Sequence, residues 1–339
     1  MPGSFTACLV VIAGLAGQSS TPFEQMPKID VHAHYFDDMP EFSKMLQRID
    51  MKVVVICVFK DRPQLIQTLQ DRAEFLSKKY SPQFHFASTF DLSKVGSPDF
   101  PADVAHWLDK SFEAGAVMTK IWKEVGMAKK LPDGTFLMPD SATLDPVYAH
   151  LEKRGKPLMA HFGDPIEAWR PMGPDSVHYK YFTNNPEWYM HGREGYPSHQ
   201  DIMDAYDRML EKHPGLTVIG AHLGSLEYDL EALGRRLDRF PNFNIDVSAR
   251  TPDLRRYPAK TLHDFFIKYQ DRILYGLDQG VYTAGRDLSA EEQTDYARRI
   301  EEWYRKEYEF YAGADLALPR EVLEKFYHGN AQRLLPDLN

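Results

Sequence analysis

Short apolar runs alternate along the chain with longer amphipathic stretches. Eight runs stand out: Ile29–Tyr35, Val53–Phe59, Phe84–Phe90, Ala116–Trp122, Pro157–Phe162, Leu216–Leu223, Phe243–Ser248 and Ile273–Leu277. Short, apolar segments bounded by turn residues read as buried parallel strands. Between them, Pro63–Tyr80 carries Leu65, Ile66, Leu69, Ala73, Phe75 and Leu76 among its polar positions. Ser198–His213 opens on a capping serine and stops before Pro214, and Ser225–Phe240 runs from Gly224 to Pro241. Strand–helix alternation means βαβ units, and eight of them predict an α/β fold closed as a (β/α)8 TIM barrel. Two helices, Ala290–Tyr311 and Pro319–Leu335, complete it.

Two connections are unusually long. The insertion from Asp164 to Pro197, after the fifth strand, is rich in Trp, Tyr, Pro and Gly, and Gln279–Leu288 follows the eighth. Both leave the C-terminal ends of strands, where barrel active sites are built. The first reads as a lid or substrate wall, with a packed surface insertion or a dimer contact as the structural alternative. With no internal repeat or clear linker, residues 26–339 read as one domain. The chain's 339 residues suit one barrel of about 250 residues plus insertions.

Residues 1–25 read as a leader. Phe5–Ala16 is apolar but shorter than the roughly 20 residues that span a bilayer. It resembles a signal-peptide core, with Gly14 and Ala16 near a cleavage point, yet no Lys or Arg precedes it. Exported and cytoplasmic locations both stay open. No other stretch suits a membrane helix. The net charge of −9, without a basic stripe, argues against a nucleic-acid partner. Cys8 and Cys57 imply no disulfide framework.

The sharpest chemical signal is Asp30-Val31-His32-Ala33-His34. Residues two apart on a strand share a face, so His32 and His34 point together into the barrel mouth as half of a metal site. Asp30, of the same parity and one step deeper, is expected to orient an imidazole. His161, His222 and Asp278 each end an apolar run, on the fifth, sixth and eighth strands. A lone histidine there is more often a satisfied core residue, but the C-terminal ends of barrel strands converge. His85, His106, His150, His213 and His263 fall in or beside outer segments and read as structural or exposed.

With the HxH, the His of HFGDP, the His of AHLGS, the Asp of YGLD and the terminal Tyr327-His328-Gly329-Asn330-Ala331, the chain resembles the amidohydrolase-related branch of the amidohydrolase superfamily, from about Lys28 to Leu335. That branch includes decarboxylases as well as hydrolases. The resemblance implies that His32, His34, His161 and Asp278 hold one divalent metal. It makes His222 an acid/base or electrostatic group and Asp278 a proton acceptor. A bound ion that lowers the pKa of water to about 7 suits that set. Zinc is the ion expected for three His and one Asp, with manganese or iron as alternatives. In some superfamily members a carbamylated lysine bridges two metals. Lys120 stands at the matching strand end, so a second ion held with His161 and His222 is the alternative to one metal. As a plain lysine it would anchor a substrate carboxylate.

Arg250, Asp164, Arg170 and Trp122 are further candidates for substrate contact, with Trp169 and Trp188 beside them. No G-x-S-x-G elbow, Walker loop, G-x-G-x-x-G or H-E-x-x-H motif is present. The first expectation is a metal-dependent hydrolase of a small-molecule amide, ester or lactone. The rivals are a metal-dependent non-oxidative decarboxylase of an unsaturated or aromatic acid and a non-catalytic binding barrel. A homodimer is expected by analogy alone.

Overall fold

A computed structural model describes residues 22–58, 64–281, 283 and 287–338. The leader expected over residues 1–25 falls mostly outside them, since residues 1–21 lie outside the described residues, as do Phe59 and Pro63. Packing begins ahead of Met26, because Phe23 is buried with its ring 5.4 Å from that of Tyr308.

All eight predicted strands form. They are β1 (Lys28–Tyr35), β2 (Met51–Ile56), β3 (Phe84–Ser88), β4 (Met118–Ile121), β5 (Leu158–Ala160), β6 (Val218–Gly220), β7 (Phe243–Asp246) and β8 (Ile273–Leu274). Each of the first seven pairs in parallel with its successor. A ninth strand, β9 (Gln279–Val281), occupies the start of the expected Gln279–Leu288 connection and pairs with β1, Ala33 lying opposite Gln279. The residues between β8 and β9 also bond to β1. Val31 N donates to Tyr275 O at 3.1 Å and Asp278 N to His32 O at 2.8 Å. The last passage of the sheet therefore follows β1 along its length and closes the barrel.

Strand alternation separates two cores. Ile29, Val31, Val54, Ile56, Met159 and Ile219 fill the interior, over a floor made by Ala331, Leu335 and Leu338. Val53, Val55, Phe86, Leu158, Phe243 and Ile245 pack with the surrounding helices in the larger cluster.

Local chemistry sets the helix ends. Ser198 caps helix His199–Lys212 in a reciprocal box with Asp201, and Ser289 does the same with Glu292 for Ala290–Tyr311. The expected helix Ser225–Phe240 is shorter, Leu230–Arg239, because Asp229 is its cap and accepts from Ala232 N at 2.9 Å. Residues 320–334 run as one helical stretch through a π turn at Lys325–Gly329.

The insertion after β5 contains short helical turns at Ile166–Trp169, Tyr179–Asn184 and Pro186–Trp188. Buried Phe182 and Trp188 tie it to the core. Among the described residues no helix is long and apolar enough to cross a membrane.

Candidate metal centre

The C-terminal end of β1 carries an irregularity that decides which side chains face inward. Its register against β2 shifts between Asp30 and Ala33. Such a bulge re-aims side chains. Asp30, expected to share the inward face, is turned elsewhere. Its carboxylate accepts from the backbone N of His32 at 2.9 Å, from that of Leu277 at 3.1 Å and from Tyr304 Oη at 2.7 Å. It braces the main chain of β1 and orients no imidazole. Burial pushes its pKa up to about 7, against the pull of these three donors.

Asp278 is where the histidines meet. Its backbone takes the left-handed φ of 59°, which Asp tolerates better than most residues. Its Oδ1 lies 3.0 Å from His34 Nε2 and 3.6 Å from His32 Nε2, and its Oδ2 lies 4.0 Å from His222 Nε2. Gly276 makes this approach feasible, since a Cβ there would stand 3.1 Å from His32 Cβ and 3.2 Å from Ser248 Cβ. His32, His34 and Asp278 form one group whose ligand-type atoms all lie within 4.8 Å of one another, and His32, His222 and Asp246 form a second.

His161 belongs to neither group. Its ring centroid is 4.4 Å from that of His222. Its buried Nε2 has no hydrogen-bond partner, although Asp164 Oδ1 is 3.5 Å away. An unpartnered buried imidazole nitrogen is costly without a ligand. Together with the donors around Asp278, it makes a chemically suitable set for a borderline-soft divalent ion.

Two residues that drew no attention in the sequence hold the cluster together. Asp246 Oδ2 lies 3.0 Å from His32 Nδ1, while Asp246 Oδ1 accepts from His222 N at 2.9 Å, Ser248 N at 3.0 Å and Ser248 Oγ at 2.5 Å. Ser248 Oγ in turn sits 2.9 Å from His32 Nδ1 and 3.0 Å from His222 Nδ1. The tautomers follow. A carboxylate only accepts, so His32 Nδ1 carries the proton. His222 Nδ1 faces the carbonyl of Ser248 at 2.8 Å and must also donate. Both rings therefore present an Nε2 lone pair to the centre. The signal for Asp246 and Ser248 was their equal parity at the end of the seventh strand.

Burial lowers the pKa of His32, and carries those of His161 and His222 well below the usual imidazole value. Burial acts on Asp278 in the opposite sense, but the surrounding imidazoles outweigh it and keep the carboxylate ionised.

Three cations border the cluster. Lys120 is 1% exposed, with Nζ 3.4 Å from His32 Nε2, and burial lowers its pKa to about 8. Arg250 is buried, donates from Nη1 to Ala249 O at 3.1 Å and leaves Nε without a partner. Lys123 Nζ bonds Asp164 Oδ2 and Tyr181 Oη, each at 2.5 Å, and lies 4.6 Å from the centroid of the Trp188 ring. Asp164 is thus committed to Lys123, which makes it a brace at the root of the insertion. Trp122 stacks edge-on to Trp188 at 5.1 Å in the same cluster, and Arg170 is exposed over the Tyr228 ring at 5.3 Å.

Replacing Lys123 by Met strands the Asp164 carboxylate in an apolar surround. The expected cost is about 3–5 kcal/mol in urea unfolding, with the double change Lys123→Met, Asp164→Asn recovering most of it. Equal losses in the single and double variants would contradict this account.

A family model described as Amidohydrolase matches residues 92–336. No curated protein matches the chain. Among solved structures, 5-carboxyvanillate decarboxylase from Novosphingobium aromaticivorans, complexed with manganese and 4-hydroxy-3-methoxy-5-nitrobenzoic acid, aligns at TM-score 0.52 and 14% identity, over 92% of this chain and 97% of that one. 4-Oxalomesaconate hydratase from Rhodopseudomonas palustris aligns at 0.51 and 15%, over 92% and 96%. Dihydroorotase from Campylobacter jejuni aligns at 0.51 and 12%, over 91% and 83%. At these identities the likeness is one of fold.

Proposed function

Because this chain belongs to the amidohydrolase family, whose superfamily members are metal-dependent enzymes, we propose that it is a hydrolase of a small-molecule amide, ester or lactone, working with one divalent cation. The observation that carries this reading is the meeting of His32, His34 and His222 at Asp278, with the unpartnered Nε2 of His161 close by. His32, His34, His161 and Asp278 would hold the ion, zinc first by donor type. When bound there, the cation supplies Lewis acidity and lowers the pKa of water to about 7.

The protein's own groups handle the protons. Ionised Asp278 takes the proton of the attacking water. His222 Nε2, 4.0 Å from Asp278 Oδ2 and unprotonated at rest, receives it and passes it to the leaving group. As an imidazolium, His222 also donates to the negative oxygen that develops on the substrate. Arg250 and plain Lys120 hold a substrate carboxylate.

A specific observation favours a second reading, decarboxylation of an unsaturated or aromatic acid. The buried Nε of Arg250 lacks a partner and the Lys120 ammonium lies beside His32, an arrangement suited to gripping a carboxylate. Elemental analysis and a substrate panel test both readings. The expected result is one ion per chain, and carboxylate, amine or alcohol release that ends on chelation and returns with zinc. Carbon dioxide release would replace the first reading with the second. Two ions would favour a carbamylated Lys120. Activity unaffected by chelation would overturn the metal-dependent scheme.

A further inference from the structure

The loops that follow β5, β6 and β7 border a half-open cavity of about 340 Å³ on the same face of the barrel. That volume suits a small molecule. Two carboxylates in its lining, Glu227 and Asp253, are 3% and 6% exposed. Each has only one oxygen engaged. Glu227 Oε1 accepts from Ile166 N at 2.9 Å, and Asp253 Oδ1 faces His178 Nε2 at 3.1 Å. Glu227 Oε2 and Asp253 Oδ2 are both buried without a hydrogen-bond partner.

Arg170 and Arg256, which also line the cavity together with Glu167, do not fill that role, and neither does Arg250 behind it. Arg256 Nη1 sits 3.6 Å from Glu167 Oε1, Arg170 lies over the Tyr228 ring, and Arg250 donates from Nη1 to Ala249 O while its Nε bonds neither carboxylate. Burial raises the pKa of Glu227, and the Asp253 charge adds to that while Arg250 opposes it. Two half-satisfied carboxylates in one lining call for a donor from outside the chain.

A bare metal ion does not fit. Among the described residues neither carboxylate joins a group of three metal-type ligand atoms within 4.8 Å of one another. Tyr228 and Tyr257, which also line the cavity, offer aromatic surface of the kind that attracts an organic cation.

We propose that this cavity binds a small organic cation, an ammonium or guanidinium group whose N–H donors meet Glu227 Oε2 and Asp253 Oδ2 while its stem lies against Tyr228 and Tyr257. Both oxygens lie beneath the cavity wall, so binding requires the two carboxylates to turn toward the cavity. The inference rests on these residues alone and is independent of the reaction at the histidine cluster.

Calorimetric titration with putrescine and agmatine, against 1,4-butanediol and succinate as neutral and anionic counterparts, tests it. Putrescine or agmatine should bind at millimolar concentration or better, and the two counterparts should not. Glu227→Gln and Asp253→Asn should each weaken the amine about tenfold or more, the loss of a charged hydrogen-bond acceptor. Metal content and circular dichroism should stay as in the unaltered protein. Repeating the titration after chelation should leave the affinity unchanged. An affinity that falls on chelation would place the amine at the metal centre instead and overturn the proposal. Equal binding of the diol, no binding of either amine, or full affinity in both variants would overturn the proposal. Should a variant fail to fold, the amine-against-diol comparison on the unaltered protein decides alone.

Discussion

Asp278→Asn is expected to lower kcat by about 10²–10⁴, the range associated with removing a positioned general base. The loss should appear on whichever substrate the unaltered protein turns over. Asn keeps the shape and the left-handed turn, since its short polar side chain also tolerates φ of 59°. The backbone bond from residue 278 N to His32 O survives the change. What disappears is the charge facing His32, His34 and His222, and with it the proposed metal ligand and proton acceptor. Metal retention should fall too, which separates this variant from a simple change in substrate binding. Steady-state kinetics with metal analysis on the same samples provides the check. A variant that keeps its ion and more than about a tenth of its rate would remove Asp278 from the proton path.

The main features of the fold could be read from sequence because parallel barrel strands are short apolar runs, and each predicted run contains or overlaps an observed strand. The limits of that reading are physical. β8 is only Ile273–Leu274 because Tyr275–Asp278 leave its ladder and bond partly to β1, while β9 is a three-residue strand with too little pattern to announce itself. The helix expected from Ser225 begins at Leu230 because His222, Leu223 and Ser225 adopt left-handed backbone conformations in a tight turn. Conformations of this kind at several non-glycine positions are a tertiary property that sequence periodicity does not encode.

At the candidate centre, the HxH spacing correctly pointed to a shared direction for His32 and His34. The same parity rule misassigned Asp30, because the bulge shifts the register between it and Ala33. Asp246 takes the orienting role expected of Asp30, from β7, two strands round the barrel from β1 and 214 residues from His32 in sequence.

That exchange of roles leads to the second large effect. Asp246→Asn is expected to reverse the tautomer of His32 and weaken metal binding roughly 10–100-fold, the usual consequence of losing a carboxylate that orients a ligand. In the unaltered protein Asp246 Oδ1 collects donors from His222 N, Ser248 N and Ser248 Oγ, while Oδ2 faces His32 Nδ1. An Asn at this position has one carbonyl oxygen and one NH2 group. Three donors claim the oxygen, so the NH2 group turns to His32 Nδ1. Two donors cannot face each other at hydrogen-bond distance, so Nδ1 gives up its proton and Nε2 gains one. The lone pair that pointed at the centre is then lost, although the ring has not moved. Ser248→Ala provides a graded comparison, because it removes the hydroxyl bridging the two rings but leaves the Asp246–His32 bond, and should weaken metal binding less. Nitrogen NMR of histidine-labelled, metal-free protein reads the tautomer directly, and chelator competition reads the affinity. An Asp246→Asn protein with the original His32 tautomer and an affinity within a factor of about two of the unaltered protein would show that Asp246 only packs there.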